Sequence, residues 1–202
     1  LWHTSGTQTV SVNYTNPNGC EAATPRTNDI TVLPEPTITL TGDLIACEGS
    51  SGNVYTTEPG MTNYVWVVST GGAIVSGGTV NDNTATVKWN TAGPQTISVN
   101  YTSADGCTAQ LPVSANITVN PKSSPTIDGP TNICAGSGEY TYTTESGMDN
   151  YTWAVSAGGT VTGGGTATDH QITIRWDATG PQTVSVNYEN SYGCPDINPA
   201  VK

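Results

Sequence analysis

The strongest constraint on this chain is an internal repeat. The run Gly93-Pro-Gln-Thr-Ile-Ser-Val-Asn-Tyr101 returns as Gly180-Pro-Gln-Thr-Val-Ser-Val-Asn-Tyr188, and in part as Gly6-Thr-Gln-Thr-Val-Ser-Val-Asn-Tyr14, at an offset of 87 residues each time. Aligned without a gap, 32 of the 61 positions from Cys47 to Cys107 are identical to those from Cys134 to Cys194. Self-similarity at a fixed period marks an array of homologous units. All five Trp fall at repeated positions, Trp2, Trp89 and Trp176 in one register and Trp66 and Trp153 in another. Tyr14, Tyr101 and Tyr188 share a register, as do Tyr64 with Tyr151 and Tyr55 with Tyr142. Pro-bearing joints at Leu33-Pro-Glu-Pro36 and Asn120-Pro-Lys-Ser-Ser-Pro125 separate the units. The register divides the chain into residues 1–34, the C-terminal part of a first repeat; 35–121, a complete repeat; and 122–202, a second repeat expected to lack its last strand. The tail from Leu1 to Leu33 is too small to bury a core alone.

Within one repeat the signals are those of short strands broken by turn residues. Thr37 to Leu40, Val54 to Thr57, Tyr64 to Ser69, Ala73 to Val75, Thr84 to Trp89, Gln95 to Thr102 and Gln110 to Val119 read as about seven strands. Ile97, Val99 and Tyr101 alternate with Thr96, Ser98 and Asn100, the period-two pattern of a half-buried antiparallel strand. Asn18-Gly19, Asp105-Gly106 and Tyr192-Gly193 each precede a Cys, where a turn between the last two strands requires a positive φ. Seven strands in fewer than 90 residues predict an all-β chain of tandem immunoglobulin-like Greek-key sandwiches. Trp66, Trp89, Trp153, Trp176, Tyr64, Tyr101, Tyr151 and Tyr188 are the expected core.

Composition narrows the function. Sixteen acids against five basic residues give a net charge of −11 and leave no basic face for nucleic acid or anionic lipid. There is no 18-residue apolar run to insert into a bilayer. His3 and His170 do not recur between repeats, so neither a His-based triad nor a His-ligated metal is expected, and the reading is non-enzymatic. Glu58 with Asp82, repeated as Glu145 with Asp169, supply paired acids of the kind glycosidases use, but a whole active site duplicated in adjacent modules is less natural than turn-capping or solvated acids. No cofactor is expected. Calcium at the joints is an open alternative through Glu35, Asp43, Glu48, Asp128 and Asp149, although no Asp-x-Asp-x-Asp-Gly spacing is present. Tyr140 and Tyr192 are unrepeated aromatics that could stack on sugar. The Gly pairs at 71–72, 77–78 and 158–159 and the triplet at 163–165 have no Lys and no helix after them, so they read as turns.

The succession Cys-x-Gly, Tyr-Thr-Thr-Glu, Asn-Tyr-x-Trp-x-Val-Ser, Gly-Gly, a Trp-ended strand, Gly-Pro-Gln-Thr-x-Ser-Val-Asn-Tyr and Gly-Cys resembles the PKD-like, immunoglobulin-like repeats of bacterial surface proteins. Residues 36–202 carry the resemblance fully and residues 1–34 its final third. The Trp-x-Phe-Gly-Asp-Gly signature of standard PKD domains is absent; Trp66 and Trp153 are followed by Val-Val-Ser and Ala-Val-Ser. The resemblance implies an extracellular, secreted setting, in stalks of large Bacteroidota adhesins of the gliding-motility type or beside catalytic domains of secreted hydrolases. On it, the chain is expected to be a stalk or fibre-shaft segment, with a carbohydrate-binding accessory module as the alternative. Its partners would be neighbouring repeats or other copies in a fibre, and any glycan or surface ligand would belong to other domains.

Five Cys without a Cys-x-x-Cys pair suggest disulfides in an oxidising compartment. Each repeat has one Cys before its second strand and one after its sixth. Two pairings stay open: Cys47 with Cys107 and Cys134 with Cys194 inside repeats, or Cys47 with Cys194 between repeats. In an immunoglobulin-like sandwich the two loops of one repeat lie at opposite ends, roughly 30 Å apart, whereas in a head-to-tail rod Cys47 approaches Cys194. Cys20 has no partner within the 202 residues on either scheme.

Overall fold

The computed structural model describes residues 2–202, and all regular structure among them is strand. Gly6–Val12 (β1) and Arg26–Val32 (β2) form a two-stranded antiparallel hairpin, with no further strand beside it among the described residues. The first complete sandwich follows: Ile45–Cys47 (β3), Asn53–Thr56 (β4), Thr62–Val68 (β5), Gly72–Gly77 (β6), Thr84–Trp89 (β7), Gly93–Thr102 (β8) and Val113–Asn120 (β9). One sheet runs β3-β9-β8-β5 and the other β4-β7-β6. The second sandwich comprises Glu139–Thr143 (β10), Asp149–Val155 (β11), Gly159–Gly164 (β12), Gln171–Trp176 (β13), Val184–Glu189 (β14) and Ala200–Val201 (β15), in sheets β10-β13-β12 and β11-β14-β15.

Alternation decides which side chains face inward. Ile97, Val99 and Tyr101 of β8 and Ile117 and Val119 of β9 meet Tyr55, Ala85, Val87 and Trp89 of the opposite sheet, with Tyr64 and Trp66 from β5. Each large side chain so buried contributes roughly 1.5–3 kcal/mol of transfer free energy. The buried polar ends are paired. Trp89 Nε1 donates to the Tyr55 hydroxyl at 3.2 Å, with the rings edge to face, and Trp66 Nε1 donates to the Asp82 carbonyl at 2.9 Å. Trp176 with Tyr142 and Trp153 with Asp169 repeat both bonds in the second sandwich. Of the expected core, Trp153 alone is only half-buried, and it packs against two separate clusters rather than one. The glycines at the turn before each Cys take positive φ, +78° at Gly19 and Gly106 and +72° at Gly193.

Two expectations are corrected. Thr37 to Leu40 form no strand. The Glu58 carboxylate accepts from the Thr39 amide, and the Thr57 hydroxyl lies 2.7 Å from both the Thr39 carbonyl oxygen and Glu58, so side chains take the polar groups that a ladder would have used. Ile38 and Leu40 still pack on the core, and the regular pairing comes later, where β3 runs parallel to β9 with Cys47 opposite Asn120. In the second repeat, the last strand expected to be missing is present at its start: β15 pairs Ala200 and Val201 with β14.

Candidate functional site: the joint between the repeats

Cys47 ends β3, and Cys194 closes the tight turn after β14, held by its amide donating to Asn190 Oδ1. The two are joined in a disulfide with a Cα separation of 5.5 Å, inside the range an unstrained bridge spans. The Cys194 side chain is fully buried. Neither pairing inside a repeat forms, and register shows why. Cys47 stands level with Asn120 at the end of β9, whereas Cys107 precedes Val113 at its start, so a full strand of roughly 25 Å lies between them.

Around the bridge the connecting segment is pinned to the second repeat. The Asn190 side chain donates to the Pro121 carbonyl at 2.8 Å, the Ser123 amide donates to the Cys194 carbonyl at 3.0 Å, and the buried Ser123 hydroxyl donates to the Tyr188 carbonyl at 3.0 Å. Lys122 Nζ binds both oxygens of Asp196, at 2.8 and 2.9 Å. Partial burial alone would raise the Asp196 pKa, but Lys122 and the Asn198 amide outweigh it and hold the carboxyl below its ordinary value. From the other side the Glu48 amide donates to the Asn120 carbonyl at 2.8 Å. Gly49, at φ +86°, leaves bare the space that the Ile197 side chain fills; a Cβ there would come within 2.5 Å of Ile197 Cδ1. A covalent bond, a half-buried ion pair and an apolar seat therefore act at one joint.

The other candidates are spread out. Cys20, Cys107 and Cys134 are free thiols. His3 and His170 are exposed on different units. Among the described residues no group of three or more His, Cys, Asp or Glu gathers as a metal site, and the five acids considered for calcium lie apart: Glu35 accepts from the Gln110 amide, and Asp128 accepts from the Gly129 amide. Tyr140 is half-buried with its hydroxyl 2.7 Å from Ser137, and Tyr192 is exposed in the turn before Cys194.

The paired acids have structural duties. Asp82 accepts from the Thr79 amide and hydroxyl, and Asp169 does the same for Thr166. Glu58 also accepts from the Tyr101 hydroxyl at 3.0 Å, and Glu145 from Tyr188 at 3.2 Å. Partial burial raises the Glu58 and Glu145 pKa values, but hydrogen bonds from Thr39 and Thr57, or Thr126 and Thr144, prevail and bring each to about 2. Burial and the neighbouring carboxylate push Tyr101 and Tyr188 up to about 12. A glycosidase acid needs a carboxyl kept protonated towards neutral pH, the opposite shift. This Glu–Tyr tie was not read from the sequence, although both residues recur at the repeat offset. Nor was the role of Asn13, Asn100 and Asn187, whose side chains donate to the carbonyls of Ala22, Ala109 and Asp196 across the last turn.

The sequence model of the PKD-like domain matches residues 33–117 and again 120–200. The chain belongs to the PKD-like domain family. No curated protein matches it. Solved structures similar to these PKD-like repeats include the D00-D0 domain of intimin, at 14% identity and TM-score 0.35 over 82% of this chain and 96% of that one. The fibronectin(III)-like modules of Clostridium thermocellum CbhA give 14% and 0.35 over 81% and 92%, and the Escherichia coli adhesin FdeC 15% and 0.33 over 98% and 73%.

Proposed function

We propose that these PKD-like repeats are a stalk segment of a secreted bacterial cell-surface adhesin, of the Bacteroidota gliding-motility type, acting as a rigid spacer without catalysis. The Cys47–Cys194 bond carries this reading, because it fixes the end of one sandwich to the facing turn of the next. A disulfide of this kind persists in an oxidising, extracellular setting. The net charge of −11 supports the same reading, since a long acidic rod stays soluble and free along its sides. The recurring carboxylates serve the repeats' own hydrogen bonding. Partners would be neighbouring repeats or other copies in a fibre, with ligand recognition left to other domains.

Small-angle X-ray scattering tests the spacer. The oxidised chain is expected to scatter as one extended conformer, and Cys194→Ser or added reductant to broaden the distribution of inter-repeat distances. Equal flexibility in the two states would overturn the rigid spacer. Binding on a glycan array that is lost with Tyr192→Ala would favour the carbohydrate-binding module instead.

A further inference from the structure

The bonded pair Cys47–Cys194 has two counterparts at the repeat offset that are unbonded, Cys134 and Cys107. We propose that Cys134 and Cys107 are sites for the same inter-repeat disulfide: Cys134 joins the last turn of a following PKD-like repeat, and Cys107 the first loop of a preceding one. The partner is thus a repeat of this kind with a Cys at the matching position. The bonded joint shows both cysteine positions engaged in this manner, and the seat beside the bond recurs independently. Gly136, at φ +70°, matches Gly49, and nothing lies within 4 Å of where its Cβ would be, which leaves open the place that Ile197 fills over Gly49. The loops are also already shaped for it. Ser137 donates to the Cys134 carbonyl and the Gly136 amide to the Trp176 carbonyl, as Ser50 does to Cys47 and Gly49 to Trp89.

The chemistry is thiol–disulfide exchange with a disulfide oxidant such as oxidised glutathione. One Cys thiolate attacks the oxidant and releases one thiol. The partner thiolate then displaces the second, so one S–S bond forms between repeats while the oxidant is reduced to two thiols.

A ladder of such bonds changes the load path. Cys47–Cys194 already takes the intervening chain, 147 residues in sequence separation, off the line of pull. Between successive bridges only 27 residues of backbone carry the force, as from Cys20 to Cys47. Fully extended they span roughly 95 Å, against about 60–80 Å for two folded sandwiches. A fully bridged array can therefore lengthen by only a fraction of its folded length. That consequence rests on the stalk reading, but the bond itself does not.

The test extends the whole chain, Leu1–Lys202, with a second copy of its own Asn116–Lys202, which continues the register because Lys202 aligns with Ala115. The appended copy carries Cys134→Ser and Ser191→Thr, so that its Cys194 peptide differs in mass and only one Cys134 is present. After oxidation in a glutathione buffer, non-reducing peptide mapping is expected to find Cys134 linked to the appended copy of Cys194, and Gly136→Val to lower that linkage at least several-fold by filling the seat. Cys134 left open to alkylation, or linked elsewhere, while Cys47–Cys194 is formed would overturn the proposal. Loss of Cys47–Cys194 as well would remove its template and overturn it too. Scattering from the unextended chain judges the spacer separately.

Discussion

The β1–β2 hairpin and the β8–β9 pair share one register over seven residue pairs, Gly6 opposite Val32 as Gly93 is opposite Val119, and differ in what lies across their apolar face. In the sandwich, β4 and β7 cover it; in the hairpin no strand among the described residues does. Tyr101 is 2% exposed and Tyr14 77%; Trp89 is fully buried and Trp2 46% exposed. Register is therefore a local property, set by the Asn16–Cys20 turn and the ladder, whereas burial is supplied by the opposite sheet.

Substitutions at matched positions should separate the two contributions. The largest difference is expected at Trp. Trp89→Ala should destabilise the first sandwich by about 3–5 kcal/mol in chemical denaturation, and Trp2→Ala should change little, within about 0.5 kcal/mol. Equal effects would mean that the hairpin face is covered in solution. Next comes Glu58, which accepts from Tyr101 in the sandwich, whereas among the described residues no carboxylate accepts from Tyr14 in the hairpin. Its depressed pKa makes it stabilising above the ordinary carboxyl value of 4.5, with the contribution lost as pH falls towards about 2. Glu58→Gln should cost about 1–2 kcal/mol at pH 7, discounted for partial exposure, and almost nothing near pH 2. A pH-independent cost would remove the charge from the explanation. A smaller contrast lies in the tyrosines: Tyr101→Phe should cost about 1 kcal/mol through its bond to Glu58, and Tyr14→Phe nothing measurable. The smallest difference is expected at Asn100 and Asn13, whose bonds to Ala109 and Ala22 are both local. Replacing either with Ala should raise amide exchange in its own hairpin by a similar factor.

The same division explains what was legible in the sequence. The strands from Thr84 to Trp89 and around Ile97 to Tyr101 are legible because period-two alternation and repeated glycine turns are local signals. The strand expected at Thr37 to Leu40 does not form because the Thr39 amide is taken by Glu58, 19 residues away, and no local pattern reports that. β3 escapes notice because three residues pairing in parallel with the end of β9 make no periodic signature. At the joint, the cysteines and their spacing were visible, but two pairings stayed open until the register of Cys47 against Asn120 placed it a strand's length from Cys107. The ion pair of Lys122 with Asp196 and the seat of Ile197 over Gly49 were not read, because at the 87-residue offset none of these residues is matched apart from the glycine, whose counterpart is Gly136, and they meet only once two sandwiches are stacked.

Single-molecule stretching of the oxidised chain from its two ends tests the joint most directly. With Cys47 bonded to Cys194, only residues outside that span should lengthen on unfolding, and reduction should release about 500 Å more contour from the 147-residue separation. The same contour length before and after reduction would contradict the covalent joint on which the spacer depends.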